Sequence, residues 1–138
     1  MKTALRGVAT VNYFAEDLEA AKAWYTELLG IEPYFEVPGG YIEFRIGDYQ
    51  QELGIIQGSY AKHDLAAGPA GAMLLWHVDD LDATIERLLS MGAEEYEPRI
   101  ERGEGFTTAS VVDPFGNIMG VMYNQHYLDT LGGVPGAE

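Results

Sequence analysis

Few side chains in this 138-residue chain combine a reactive type with a suggestive position. Glu52, in YQQELG, and His77, in LLWHV, both lie in predicted strands. A carboxylate in such a place can accept a cationic group or act as a base, and an imidazole can move a proton or contact a ligand. The ordinary alternatives are a solvated strand residue for Glu52 and a histidine hydrogen-bonded to backbone for His77.

Motifs for other chemistry are missing from the sequence. The histidines at 63, 77 and 126 show no His-x-His or His-x-x-x-His spacing, and there is no cysteine. The chain also lacks G-x-S-x-G, a glycine-rich phosphate loop and H-E-x-x-H. Nucleophilic catalysis of those types and thiolate metal sites are therefore not predicted.

The charge balance narrows the possible partners. Twenty-two acidic residues against eight basic ones give a net charge of −14. Nucleic acids and anionic membranes need basic residues, so neither is expected as a partner. A cationic small molecule would be attracted, although the same charge also serves solubility. Because no apolar run is long enough to span a membrane and no signal peptide is recognisable, we expect a cytoplasmic protein.

Two segments of the chain repeat one pattern. Residues 17–30 read DLEAAKAWYTELLG, and residues 80–92 read DLDATIERLLSMG. In each, an aspartate suited to a helix N-cap precedes apolar residues at three- and four-residue spacing, and a glycine suited to the C-terminal end follows. The sequence therefore predicts two amphipathic helices.

Predicted strands surround each helix in the same order. They cover 7–14, 41–46, 49–57, 72–78, 106–112 and 118–124, with shorter ones near 31–37 and 93–97. The pattern predicts an α+β fold of two βαβββ modules, with curved mixed sheets and helices on the outer face. The modules span 1–57 and 72–125, joined by a linker at 58–71 and followed by a tail at 126–138. Residues 99–106 are predicted to form a mobile loop hinged by glycines.

Each predicted module is small. About 60 residues make a marginal core, so the modules should pair within one chain or between two chains. We expect a homodimer. Since each helix covers one face of its sheet, the other face is free to curve around a ligand.

The repeated modules resemble the vicinal oxygen chelate superfamily, which contains glyoxalases, extradiol dioxygenases and bleomycin-resistance proteins. The segments that carry the resemblance are VNYFAEDLEAAKAWYTELLG, HVDDLDATIERLLSMGA and VVDPFGN, within residues 5–124. The resemblance implies a concave sheet face on which four His, Gln or Glu side chains hold a divalent metal. The matching positions here are Thr10, Glu52, Met73 and Gly120.

Of these four residues, only Glu52 binds a hard cation well. A catalytic zinc, for comparison, takes roughly three protein ligands. The sequence therefore predicts no resident metal or other cofactor. A relocated metal site built from Glu52, His77 and Glu43 stays open as the alternative.

Strand alternation extends the candidate ligand-binding surface beyond the four positions. Gly120 either marks close packing or makes room for a larger ligand. Met73 and Met122 have flexible side chains that would adapt to apolar groups of a ligand. The candidate ligand-binding residues are Asn12, Phe14, Glu52, Met73, Leu75, His77, Gly120 and Met122.

Three functions are compatible with this surface. The first is metal-independent binding of a small aromatic or cationic molecule in the concave cavity. The second is a lyase, isomerase or dioxygenase that uses either a relocated metal or acid–base catalysis by Glu52 and His77. The third is a non-catalytic subunit whose role is protein interaction.

Overall fold

The computed structural model describes residues 4–133 of the chain. They form two compact units, of which the first ends at Ala66 and the second begins at Ala67. Each unit contains a four-stranded mixed sheet with a helix packed against it. The predicted α+β fold of two βαβββ modules is confirmed.

The first unit follows the βαβββ order. Its sheet has the strand order β1-β4-β3-β2, in which β1 and β4 are parallel and the other pairs antiparallel. Two short 3-10 turns, at Gly58–Tyr60 and Leu65–Ala67, lie in the predicted linker. The elements are β1 (Thr10–Ala15), α1 (Leu18–Leu29), β2 (Phe35–Val37), β3 (Tyr41–Ile46) and β4 (Gln51–Gln57).

Helix α1 forms where its capping residues place it. The Asp17 carboxylate accepts a hydrogen bond from the backbone N of Ala20 at 3.0 Å, and Gly30 ends the helix with φ of 72°. Tyr25 on the helix is buried, as are Leu53 and Ile55 on β4. Burial of these apolar side chains holds the helix to one face of the sheet. The opposite face carries the polar residues of β1, β3 and β4.

The second unit repeats the arrangement and adds a helix. Its sheet has the order β5-β8-β7-β6, with β5 parallel to β8. Asp80 caps α2 by accepting from the backbone N of Ala83 at 3.0 Å. The elements are β5 (Leu74–His77), α2 (Leu81–Ser90), β6 (Glu94–Gly103), β7 (Phe106–Val112), β8 (Ile118–Asn124) and α3 (Gln125–Gly132).

One prediction about the second unit was wrong. Residues 99–103 are not a loop: β6 continues to Gly103 and pairs with β7, with register shifts that absorb the irregular sequence. Only Glu104 and Gly105 form the turn, and Gly105 O accepts a hydrogen bond from Gln125 N at 3.0 Å. The predicted tail begins as helix α3, while residues 134–138 lie outside the described part of the chain.

Several strands are also shorter than predicted. β1 begins at Thr10 rather than at residue 7, β4 begins at Gln51, and β5 covers only Leu74–His77. Residues 47–50 form a turn in which Gly47 and Gln50 have positive φ values of 63° and 55°. A turn that needs left-handed backbone shortens β4 at this end.

Candidate functional site

The face of the first sheet that lies away from α1 carries polar side chains from β1, β3 and β4. The strand register arranges them in three rows across the sheet. We call this surface the first open face. Its rows are Thr10, Glu52 and Arg45; then Asn12, Gly54, Glu43 and Phe35; then Phe14, Ile56, Tyr41 and Val37.

Two hydrogen bonds organise the carboxylates of this face. Thr10 Oγ1 donates to Glu52 Oε1 at 2.6 Å, and the Tyr41 hydroxyl donates to Glu43 Oε1 at 2.8 Å. Burial, then the hydrogen bond to Glu43 and the negative charges of Glu43 and Glu52, raise the pKa of Tyr41 to about 12. Both carboxylates therefore act electrostatically on one tyrosine.

Gly54 is the residue that lets these groups converge. A Cβ atom at this position would collide with Asn12 Oδ1 and would lie 2.5 Å from Tyr41 Cε1. The missing side chain leaves a space over β4 into which Asn12 and Tyr41 both reach. A glycine inside a strand often marks such a close approach.

The sequence-based list of candidates missed Tyr41, Arg45 and Gly54. The sequence does indicate Tyr41 and Arg45, because alternate residues of the predicted strand 41–46 share one face with Glu43. Strand alternation puts Gly54 on the face of Glu52, but its neighbours Asn12 and Tyr41 depend on strand register.

The two glutamates of the first open face have no cationic partner among the residues that the structure describes. Arg45 lies directly across from Glu52 in the strand register, yet its guanidinium carbon sits 3.8 Å from the ring centroid of Tyr34. Among residues 4–133, no ion pair includes Glu43, Glu52 or Arg45. The face thus presents hydrogen-bond acceptors of net negative charge.

In the second unit, both ring nitrogens of His77 form hydrogen bonds within the protein. Its Nδ1 accepts from the backbone N of Asn124 at 3.1 Å, so in the neutral ring Nε2 carries the hydrogen and donates to Asp79 Oδ1 at 3.0 Å. The ring also stacks on Tyr127, with centroids 4.9 Å apart. To bind a metal or move a proton, His77 would have to give up one of these hydrogen bonds.

The space next to Gly120 is filled by leucine. A Cβ at Gly120 would lie 2.5 Å from Leu75 Cδ2 and 2.8 Å from the carbonyl oxygen of Leu74. The glycine therefore reflects close packing of β5 on β8, and Leu75 takes the room that a larger ligand would need. Met122 is buried, whereas Met73 precedes β5 and is 38% exposed.

The residues at the superfamily's metal-ligand positions do not fit a divalent metal. Thr10 uses its hydroxyl on Glu52, Gly120 has no side chain, and Met73 offers only a thioether, which suits soft ions. Within residues 4–133, no group of three or more His, Cys, Asp or Glu side chains is arranged to hold a metal ion. A single carboxylate provides fewer ligands than the roughly three protein ligands of a catalytic zinc site.

The chain is thus an α+β protein with two βαβββ units, of which the first carries an exposed, polar sheet face. The model of the Glyoxalase/Bleomycin resistance protein/Dioxygenase superfamily matches residues 7–120. The chain belongs to this superfamily. No curated protein matches it.

Solved structures support the same fold. A glyoxalase-related enzyme from Fulvimarina pelagi is 23% identical, with 88% of this chain and 90% of that chain covered and a TM-score of 0.68. A lactoylglutathione lyase from Agrobacterium tumefaciens is 21% identical, with coverage of 88% and 96% and a TM-score of 0.67. The bleomycin resistance determinant encoded on transposon Tn5 is 25% identical, with coverage of 85% and 97% and a TM-score of 0.61.

Within residues 4–133, no helix is both long and apolar enough to cross a bilayer.

Proposed function

We propose that this protein binds a small molecule with a cationic group and an aromatic body on its first open face, without a metal. The observation that carries the proposal is the pair of carboxylates, Glu43 and Glu52, that are hydrogen-bonded to hydroxyls but have no cationic partner in the described chain. An ammonium or similar group can donate hydrogen bonds to such acceptors. Bonds of this charge-assisted kind are stronger than neutral ones.

The third row of the face supplies the apolar contact. Phe14 and Ile56 are half-buried and Val37 is 48% exposed, while Phe35 in the adjacent second row is 52% exposed. Aromatic rings beside carboxylates suit an aromatic amine. The ring of the ligand would bury apolar area, while its ammonium group would contact the carboxylates of the polar rows. The chain is similar to the Tn5 bleomycin resistance determinant, a protein named for resistance and not for a reaction.

The catalytic alternative has no comparable support. Acid–base work by Glu52 and His77 requires a histidine that can exchange its proton, and both ring nitrogens of His77 are hydrogen-bonded. A relocated metal site would need the same nitrogens. Binding is therefore the function that this geometry favours.

Calorimetric titration with 2-phenylethylamine tests the proposal, with 2-phenylethanol as the neutral counterpart. We expect the amine to bind more tightly, and Glu43→Gln and Glu52→Gln each to weaken it about tenfold, the equivalent of about 1.4 kcal/mol. Glu86→Gln, on the exposed side of α2, removes the same charge and should leave the affinity unchanged. Failure of the amine to bind would overturn the proposal and favour the interaction subunit.

Metal independence is tested separately. Protein incubated with Mn, Fe(II), Ni or Zn, desalted and measured by elemental mass spectrometry should retain far less than one equivalent of each ion. About one equivalent that is lost in Glu52→Gln would mean that a metal site exists, because a resident site retains its ion in stoichiometric amount. The enzyme alternative would then replace binding as the leading function.

We also propose that the chain acts as a homodimer in the cytoplasm. The absence of cysteine fits a reducing compartment, and units of this size have small cores that association would extend. Light scattering coupled to size-exclusion chromatography should give twice the chain mass of 15.2 kDa. A monomer mass at micromolar concentration would contradict the dimer.

A further inference from the structure

The starting point is a pair of opposite charges that face each other without pairing. Arg45 and Glu52 are directly opposed on the antiparallel strands β3 and β4. Side chains at such positions have Cβ atoms about 5 Å apart, and opposite charges there normally attract. Here the Arg45 guanidinium lies over the Tyr34 ring instead, and Glu52 accepts from Thr10.

Each charged group on this face is held by a neutral partner. Glu52 has the Thr10 hydroxyl, Glu43 has the Tyr41 hydroxyl, and Arg45 has the face of Tyr34. The charges of both signs are therefore fixed in position but not neutralised by each other. A surface arranged in this way is complementary to a molecule that carries both charges itself.

Arg45 also has an unused donor. Its Nε is buried and has no hydrogen-bond partner in the described chain. A buried donor without an acceptor costs stability, and a guanidinium presents its donors in a planar fork that matches a carboxylate. An incoming carboxylate would supply the missing acceptor.

We propose that Arg45 selects the ligand of this face, and that the ligand is a zwitterion: a free amino acid with an aromatic side chain. This inference rests on the proposed function. The ammonium would lie on the glutamates, the carboxylate on Arg45, and the aromatic ring on the apolar row. The two charged groups must be close together in the ligand, since adjacent strands are only about 4.8 Å apart.

The charge count favours a carboxylate over a phosphate. The face carries two glutamates and one arginine, so it accepts a single negative charge beside the ligand's ammonium more readily than two. A phosphate close to Glu43 and Glu52 would be repelled by both. An amino acid satisfies the arginine without that repulsion.

The test compares ligands that differ in one charge. L-phenylalanine carries both charges, its methyl ester carries only the ammonium, and 3-phenylpropionate carries only the carboxylate. Calorimetry on the full-length protein should show that phenylalanine binds about tenfold more tightly than the ester, and that phenylpropionate binds weakest. Arg45→Gln should bring phenylalanine to the affinity of the ester and leave the ester unchanged.

Matched variants separate selection from a structural role of Arg45. Arg87→Gln, on α2, removes the same charge and should preserve the tenfold preference. Arg45→Lys keeps the charge but loses the planar fork, so the preference should shrink without vanishing. If Arg45→Gln fails to fold, the Lys variant carries the test together with Tyr34→Leu, which removes the ring that positions the guanidinium. The Leu variant should also shrink the preference.

The outcomes distinguish this inference from the function on which it rests. If the ester and 2-phenylethylamine bind but phenylalanine binds no more tightly, the zwitterion inference is wrong and the proposed function stands. If none of the three binds, both fail. If the preference survives in Arg45→Gln, Arg45 is not the residue that selects the carboxylate.

Discussion

At the scale of single residues, the chemistry of the first open face depends on hydroxyl groups paired with carboxylates. The Tyr41 hydroxyl and Glu43 lie on one strand, while Thr10 and Glu52 come from two parallel strands. In each pair, a neutral hydroxyl donor stabilises the charged carboxylate without neutralising it. The consequences can be measured at Tyr41 and at Gly54.

Tyr41 should make the protein sensitive to alkaline pH. Its pKa is raised from 10.0 to about 12, so between these values the folded state binds more protons than the unfolded state. The stability that this group contributes is fully present below pH 10 and is lost as pH rises through 12. Urea unfolding should show a smaller loss over that range for Tyr41→Phe. The exposed Tyr60→Phe should behave like wild type, and equal losses in all three proteins would contradict the assignment.

Gly54 and Gly120 should respond differently to alanine. At Gly54 the new Cβ meets the far ends of the Asn12 and Tyr41 side chains, which can rotate away. Ligand affinity should fall while stability changes little.

At Gly120 the Cβ meets the carbonyl of Leu74 at 2.8 Å, and backbone cannot move as freely. Gly120→Ala should cost about 1–3 kcal/mol in urea unfolding. A stable, well-folded Gly120→Ala protein would mean that the space beside Leu75 is open.

At the scale of elements, the start of helix α3 is held from several sides. Asn124 Oδ1 accepts from the backbone N atoms of His126 and Tyr127, at 3.0 Å and 3.4 Å. His77 on β5 accepts from Asn124 N and stacks on Tyr127. His77 therefore joins β5 to the end of β8 and to α3, which explains its burial without a catalytic role.

Asn124→Ala should loosen α3. Loss of an N-cap costs about 1 kcal/mol, and an aspartate at the same position restores the acceptor. Hydrogen exchange of the amides of residues 125–132 should accelerate in the Ala variant and return towards the wild-type rate in Asn124→Asp. Unchanged exchange in the Ala variant would show that His77 and the turn at Gly105 hold the helix without the cap.

At the scale of the whole molecule, the net charge of −14 should assist the binding of cations. Unlike the hydrogen bonds of the face, this long-range attraction is screened by salt, with a Debye length near 10 Å at 0.1 M and about 3 Å at 1 M.

Salt should therefore weaken the binding of 2-phenylethylamine. Titrations from low to high sodium chloride should raise its Kd progressively, whereas 2-phenylethanol should show no such dependence. Glu86→Gln, which alters the total charge by one, should change the slope only slightly. An amine affinity that is independent of salt would place its binding on an apolar surface instead.

Much of the fold follows from local features of the sequence. The N-caps Asp17 and Asp80 and the helical spacing between caps and glycines predicted both helices, and strands 41–46, 106–112 and 118–124 match the structure at both ends. Caps and alternation act within a few residues of chain, so they can be recognised without tertiary information. The continuation of β6 through the glycine-rich segment could not, because pairing with β7 supplies its hydrogen bonds.

The two βαβββ units, the acidic character and the mismatch between the side chains and a divalent metal all follow from the sequence alone. Which side chains meet on the first open face follows only from the folded arrangement of the strands. Register places Arg45 opposite Glu52, and the missing side chain of Gly54 brings Asn12 to Tyr41. The physical reason is that a strand's pattern fixes which face a residue occupies, whereas its neighbours on that face depend on how distant strands align.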